Sequence, residues 1–519
     1  MEYLPTAAQM KAADAFTIQK LHVPSLTLME RAAKSCVTVL KQSGWSMARI
    51  CIVCGSGNNG GDGFAIGRLL IEEGYCVTAV MAGNRSHCTA ECLTQIELFE
   101  KARGVLCNEY VPAEYSIIID ALFGVGLSRD ITGSYRALIE KMNQSSAKRF
   151  AVDIPSGISA DTGNVMGAAF RADKTVTFQK KKFGMEIYPG REYCGEVITA
   201  DIGISSAVLE EDKSVPIQLS EEDYRRLFPA RKADSNKGTY GKVLVIAGSR
   251  GMSGAAYFNA KSAYLTGAGL VRIYTAEENR CILQQLLPEA IVTAYGEERE
   301  DFTGLLDWAD VVCIGSGIGT GDAAEWILET TVKHCKKPCV IDADGLNLLA
   351  KHREYFEYMK GKKEETSGKD SLGSWIFTPH MKEMSRLTGS AVEEIKGDRL
   401  KALCEFTAEK NRILVLKDAK TVVGTYGEHP AVNSSGNSCM AKAGSGDVLT
   451  GIITGFLAQG CSSWEAALLG AYIHGRAGDF AREEKGAYSV MAEDLMRHTA
   501  TAIKKLTNTE TNTERGSVV

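Results

Sequence analysis

The stretch Lys442-Ala443-Gly444-Ser445-Gly446-Asp447 runs directly into the apolar segment Val448-Leu449-Thr450-Gly451-Ile452-Ile453, and its reading decides the fold. Small residues and glycines followed by helical spacing describe a turn that aims backbone N–H groups and the positive end of a helix at one point. That arrangement receives a phosphate. Asp447 then stands where a carboxylate takes a proton from a hydroxyl lying beside the phosphate. A carboxylate held against phosphate is electrostatically costly, which argues for chemistry. The competing reading makes Asp447 an ordinary helix N-cap.

Upstream of this turn, short apolar runs alternate with helical stretches. They include Lys242–Ser249, Leu270–Tyr274, Val311–Ile314, Cys339–Asp342, Trp375–His380 and Ile413–Lys417. Several end in glycine or acidic turns, as at Gly315-Ser316-Gly317-Ile318-Gly319 and Asp342-Ala343-Asp344-Gly345. Strands alternating with helices predict a mainly parallel α/β domain. Lysine and amide side chains (Lys417, Lys420, Asn433, Asn437) before the glycine turn suit an adenine nucleotide.

The first half repeats the strand–glycine–helix theme without repeating its sequence. Residues 6–48 read as helical. Ile50–Cys54 reads as a strand that ends in Gly55-Ser56-Gly57-Asn58-Asn59-Gly60-Gly61-Asp62-Gly63, with a helix predicted from Phe64 to Glu73. The loop contains GxGxxG, but the next strand, Cys76–Met81, runs into Ala82-Gly83-Asn84 without the acid that a dinucleotide fingerprint needs. Two further strand ends follow, at Asp120-Ala121-Leu122-Phe123-Gly124 and Asp153-Ile154-Pro155-Ser156-Gly157. In a doubly wound sheet these ends share one crevice, so Asn59, Asp120, Asp153 and Ser156 are expected to converge. Their hard oxygens suit an alkali or alkaline-earth cation.

Length and composition bound the rest. A chain of 519 residues implies more than one domain, and 45% hydrophobic with 24% charged residues is the balance of a soluble globular protein. A net charge of −5 supplies no basic field, so nucleic acid is not an expected partner. No apolar run is long enough to span a membrane, and the N-terminus lacks signal-peptide character, so a cytoplasmic location is expected. The fifteen cysteines are scattered and odd in number, which predicts buried free thiols. Cys51 and Cys54 have metal-ligand spacing but would point to opposite faces of a strand. Charged residues over 205–236 read as a linker with a short helix, 360–369 as a solvated loop, and the end of the chain as a disordered tail.

Taken together, Asn58–Gly63, Asp120–Gly126 and Asp153–Gly157 resemble the NAD(P)H-hydrate epimerase family of the YjeF N-terminal type. Lys237–Gly241, Asp342–Asn347, Thr378-Pro379-His380, Lys417–Thr421 and Gly444–Asp447 resemble the ADP-dependent NAD(P)H-hydrate dehydratases of the ribokinase-like superfamily. The resemblance implies two three-layer α/β/α domains, a Rossmann-like epimerase over 1–215 and a ribokinase-like dehydratase over 225–505, with a tail from 506 to 519. It implies that Asn58, Asn59, Gly60, Gly61 and Asp62, with Gly124, Val125, Gly126, Leu127, Ser128, Arg129 and Asp130, bind the hydrated dinucleotide beside Asp153. Asn59, Asp120 and Ser156 would hold K+. In the second domain Ala255, Gly317, His380 and Asp447 would contact the hydrate. Lys417, Asp418, Ala419, Lys420, Thr421 and Gly446 would bind ADP, the co-substrate used with Mg2+. Asp447 and Asp153 are the catalytic candidates.

The sequence departs from the dehydratase pattern at Met381-Lys382, Ser316 and Ala443. A small-molecule kinase fused to a non-catalytic nucleotide-binding or scaffold module is the alternative reading. The partners implied are small molecules, and a homo-oligomer is left open.

Overall fold

The computed structural model describes residues 1–112, 114–295, 302–360 and 374–508. The expected solvated loop after Lys360 and most of the expected tail lie outside these. The chain forms two compact units, Glu2–Pro216 and Ile217 onward.

The first unit contains strands β1 (Glu2–Tyr3), β2 (Ile50–Cys54), β3 (Val77–Met81), β4 (Val105–Cys107), β5 (Ile117–Ala121), β6 (Lys148–Val152), β7 (Lys174–Phe178) and β8 (Glu196–Ala200). Its sheet runs β4-β3-β2-β5-β6-β7-β8, and every pairing is parallel. Parallel neighbours require crossovers, and β2 is buried along its whole length because helices cover both faces. Cys54 joins the core on one face with Ile50 and Ile52, while Cys51 and Val53 join the core on the other. The expected opposition of the two thiols is therefore observed. The strand order reverses between β2 and β5, which places the ligand crevice of such a sheet outside their C-terminal ends.

The second unit continues with β9 (Ile217–Gln218), β10 (Lys242–Ile246), β11 (Leu270–Ala276), β12 (Ile291–Tyr295), β13 (Val311–Ile314), β14 (Cys339–Ile341), β15 (Trp375–Phe377), β16 (Arg412–Leu416), β17 (Val422–Thr425) and β18 (Ala431–Val432). Its parallel core runs β12-β11-β10-β13-β14-β15-β16, with the reversal between β10 and β13. Among the described residues of this unit only β17 breaks the pattern, pairing antiparallel with β16 and β18.

Three expectations need correction. Residues 6–48 form two helices, Ala7–Gln19 and Ser25–Gln42, because Pro24 takes extended backbone and becomes the N-cap of the second. The presumed linker is ordered: helix Ala207–Glu211, β9, and helix Glu221–Leu227 capped by Ser220 all fall within it.

The third correction concerns the Asn58–Gly63 motif, which is the start of a helix, Asn58–Glu72, and not a loop. Glycine is a poor helix former in isolation. Here its missing side chain lets the helix lie on the sheet. A Cβ on Gly60 would sit 1.9 Å from the Gly55 carbonyl oxygen, and one on Gly63 would sit 2.6 Å from Ala121 Cβ.

Candidate functional site

In the first unit a cleft of about 530 Å³ opens at the switch point between β2 and β5. Of the residues proposed from sequence, Asn58, Asn59, Asp62, Gly124, Val125, Gly126, Leu127, Ser128, Arg129 and Asp153 line it. Gly60 and Gly61 do not. They are buried spacers against Gly55 and against Met29 and Cys92. Asp130 is exposed and outside the lining. Thr89 Oγ1 donates to Asn58 Oδ1 at 2.7 Å and fixes that amide at the rim.

Behind the cleft, Asp120 and Ser156 are fully buried. Asp120 accepts from Ser156 Oγ (2.6 Å), Ser156 N (2.8 Å) and Leu122 N (3.2 Å). Burial pushes the Asp120 carboxyl up to about 6 against the lowering effect of those donors. The next turn carries Phe123, whose N–H donates to Ser156 Oγ at 2.9 Å, and Gly124, where a Cβ would touch the Asn59 side chain at 3.3 Å. Asn59, Asp120 and Ser156 are thus neighbours through one loop. The Asn59 Nδ2 is buried and has no hydrogen-bond partner among the described residues. Rotating this amide by 180° puts a bare oxygen there, since the amide's O and N are assigned from their partners. An oxygen donor set of that kind fits a monovalent cation.

Asp153 closes the cleft floor. It sits at φ +64°, a strained conformation for a residue with a side chain. Its Oδ1 accepts from Phe178 N (3.0 Å), Thr177 Oγ1 (3.3 Å) and the ammonium of Lys182, which is 1% exposed. Lys182 was not singled out by sequence reasoning, nor was Asp14 of the first helix, which also lines the cleft. Lys182 lies in the run Lys180-Lys181-Lys182, which reads as surface charge. Asp14 sits inside a helix with no motif around it.

The second unit assembles its groups on the loops after β10, β13, β14, β15 and β16. The glycine loop after β13 lies under the β10 loop, where Gly248 N donates to Ser316 O (3.0 Å) and Ser249 N to Gly317 O (2.6 Å). Gly317 has φ +64°, and a Cβ there would lie 3.0 Å from Ala255 Cβ, so these two expected contact residues are adjacent. Helix Ser445–Ala458 begins at the glycine turn, with Gly444 as its left-handed N-cap (φ +85°). Asp447 is therefore in the first helical turn and is not the N-cap. The first-turn N–H groups of such a helix have no intrahelical acceptors.

Asp342, 1% exposed, is the hub beneath this turn. Its Oδ1 accepts from Lys417 Nζ (2.7 Å) and Thr378 Oγ1 (2.8 Å), and its Oδ2 from Thr450 Oγ1 (3.0 Å). Burial alone would raise this carboxyl. The Lys417 ammonium and the two hydroxyls outweigh it and hold the group below the usual range. Burial would likewise depress Lys417, but Asp342 and Glu383 raise it. Asp447 has no ion pair among the described residues. Burial, then the negative charge of Asp342, push it up to about 6, with the Ser316 hydroxyl and Lys417 partly offsetting them. A Cβ on Gly446 would stand 3.3 Å from Lys417 Nζ and 3.6 Å from Asp342 Oδ2, so the glycine turn rests on this pair.

His380 caps helix Met381–Thr388. Its Nδ1 accepts from Lys382 N (3.1 Å) and Glu383 N (3.2 Å), which leaves the ring proton on Nε2. Met381-Lys382 is thus compatible with an intact cap, and Met381 is buried. Within the proposed nucleotide segment, Asp418 turns to Arg399 (2.8 Å), Lys420 Nζ donates to Ser434 O (3.0 Å), and Thr421 O accepts from Asn433 N (2.9 Å). Ala419 is exposed. Ser445 Oγ meets His474 Nε2 at 3.3 Å, a pair that nothing in the sequence connects. Burial, with Lys417 nearby, lowers His474 to about 4. Among the described residues no group of three or more His, Cys, Asp or Glu side chains could hold a metal, and no helix is long and apolar enough to cross a membrane.

Residues 243–501 match the family model described as NAD(P)H-hydrate dehydratase, and residues 25–184 the one described as YjeF-related protein N-terminus. A Moorella thermoacetica protein named bifunctional NAD(P)H-hydrate repair enzyme Nnr is 34% identical over 516 residues, which is 95% of each chain. A Coxiella burnetii protein of the same name is 36% identical over 473 residues, 91% of this chain and 93% of its own. The crystal structure of a Bacillus subtilis ADP/ATP-dependent NAD(P)H-hydrate dehydratase, co-crystallised with ATP and Mg2+, aligns with a TM-score of 0.47 and 28% identity. It covers 56% of this chain and 98% of its own.

Proposed function

This chain belongs to the bifunctional NAD(P)H-hydrate repair enzymes, and from that premise we propose how its two sites divide the work. The protein interconverts the R and S forms of hydrated NADH or NADPH and dehydrates the S form at the expense of ADP. The first unit carries the epimerase and the second the dehydratase.

The hydrate bears a hydroxyl on the carbon beside the ring nitrogen, and hydroxide leaves poorly. Transfer of the terminal phosphoryl of ADP to that oxygen gives AMP and a phosphate ester. The ring nitrogen lone pair then expels phosphate, and loss of the adjacent C–H proton restores the double bond. Asp447 takes the hydroxyl proton as the O–P bond forms. The first-turn N–H groups after Gly444, with Lys417, stabilise the charge spread over the phosphoryl oxygens. Lys417–Thr421 and Gly446 hold the nucleotide, and Ala255, Gly317 and His380 hold the hydrate. Mg2+ would accompany the nucleotide and would offset the charge on its phosphates.

In the first unit Asn59, Asp120 and Ser156 would hold K+, which would supply a fixed positive charge behind the Gly124 loop. Asp153 faces the reacting ring. The observation that carries the reading is Asp447: a half-buried carboxyl with a raised pKa, set in the first turn of a helix and over the Asp342–Lys417 pair.

The test follows the absorbance of reduced nicotinamide, starting from mixed R and S hydrate with ADP, Mg2+ and K+. Complete recovery is expected, in a fast phase for the S fraction and a slower one for the R fraction. Recovery that stops at the S fraction would remove the epimerase. No recovery, with a phosphorylated product released instead, would favour a small-molecule kinase.

A further inference from the structure

Two carboxyls other than Asp153 line the first unit's cleft, Asp14 and Asp62, and of the two lysines there, Lys11 and Lys182, it is Lys182 whose charge acts on all three. They come from four separate places: helix Ala7–Gln19, helix Asn58–Glu72, the end of β6 and the turn before Phe183. Lys182 commits itself to one of them. Its Nζ bonds Asp153 Oδ1, and its other contacts are Thr177 Oγ1 (2.9 Å) and Phe178 O (3.2 Å). Asp153 Oδ1 is thereby saturated, which leaves Oδ2 to meet what enters the cleft.

Asp14 has no ion pair of its own among the described residues. It shares a helix face with Met10, Lys11 and Ile18, all of which line the cleft, at spacings of three to four residues. Burial, and then the charge of Asp153, push it up to about 6. Asp62 is also raised, by burial and by Asp153 and Asp14. Asp153, held by the Lys182 ammonium, and Asp14, which has no ammonium partner among the described residues, present two unlike carboxyls to one cleft, the arrangement a donor and an acceptor of the same proton need.

We propose that Asp14 is a second proton-carrying residue of this cleft, paired with Asp153 so that the hydroxyl leaves one face of the ring and returns to the other. The proposal rests on the epimerase reading above and names a residue for it. In the forward step the protonated carboxyl gives its proton to the hydroxyl oxygen, and the C–O bond breaks with its electron pair on oxygen. Water departs while the ring nitrogen lone pair forms a C=N bond that carries the positive charge. Water then adds to the opposite face of the same carbon, the C=N pair returns to nitrogen, and a carboxylate takes the excess proton. Nothing is oxidised or reduced, and one proton has passed from one carboxyl to the other.

The experiment uses the full chain with mixed hydrate, ADP, Mg2+ and K+, and compares Asp14→Asn and Asp14→Glu with the unmodified protein. The fast S phase belongs to the second unit and is expected to be unchanged in both variants. The R phase of Asp14→Asn is expected to fall by about 100-fold or more in kcat, with KM for the R hydrate within about threefold. Asp14→Glu, which keeps a carboxyl, is expected to retain at least about a tenth of the R-phase rate. The proposal is overturned if Asp14→Asn keeps its R-phase kcat or changes KM alone. It is equally overturned if the Asn and Glu variants are slow to the same degree, which would mark a steric role. Loss of both phases in the unmodified protein would instead refute the repair function itself.

Discussion

Replacing Asp447 by Asn tests the dehydratase mechanism at its centre. The substitution keeps size and hydrogen-bonding shape but cannot accept the hydroxyl proton. General-base catalysis contributes about 10²–10⁴ in rate, or about 3–5 kcal/mol of transition-state free energy. The S-phase kcat is therefore expected to fall by that factor with nucleotide binding retained.

The pH dependence gives a second readout. An ordinary Asp at 3.8 would be fully ionised throughout the working range, but burial and Asp342 raise Asp447 to about 6. As a base it works only when deprotonated. The rate should climb as pH rises from 5, reach half its plateau near 6, and be nearly flat above 7. The assay is the absorbance of reduced nicotinamide under saturating ADP and pure S hydrate, from pH 5 to 8. An Asn variant within threefold of the parent, or a parent whose rate is already flat at pH 5, would refute this role.

Other consequences concern the groups around the sites. Lys417→Met leaves Asp342 buried without its ammonium, which is expected to cost about 3–5 kcal/mol in chemical denaturation of the second unit at pH 7. In the parent, Asp342 has a lowered folded-state pKa, so its stabilisation is present above the unfolded value and is lost as pH falls through the folded one. In the variant burial is opposed only by the Thr378 and Thr450 hydroxyls and the folded value rises, so the deficit should shrink as pH falls toward 4. Asp120→Asn is expected to abolish the acceleration of the R phase when K+ replaces a bulky organic cation, with the S phase unaffected. Gly60→Ala places a methyl 1.9 Å from the Gly55 carbonyl oxygen. It should destabilise the first unit by about 1–3 kcal/mol or more and remove the R phase while sparing the S phase, as seen by thermal unfolding and the same absorbance trace.

Much of the architecture was legible because the two periodicities are local. Strands such as Val311–Ile314 are short apolar runs bounded by turn residues, and the bounds of that one hold in the structure, whereas the run from Cys339 stops at Ile341 because Asp342 becomes the N-cap of the following helix. The glycine turn at 443–446 announces its helix, and the three strand-end motifs of the first half announce one crevice. Local rules failed where tertiary packing overrode them. Asn58–Gly63 reads as a loop by propensity, yet it is helical because Gly60 and Gly63 let the helix backbone rest on the sheet.

What the sequence determined by itself is therefore the class of each half and the identity of the residues at its strand ends. Those properties depend on neighbours along the chain. What only the tertiary structure decided is electrostatic. Asp14, Lys182 and Asp153 are remote in sequence and meet in one cleft, and Lys417 meets Asp342 beneath Asp447. Whether a carboxylate keeps or gives up its proton depends on burial and on charges brought to it through space. No spacing along the chain encodes which ammonium a given carboxylate will find.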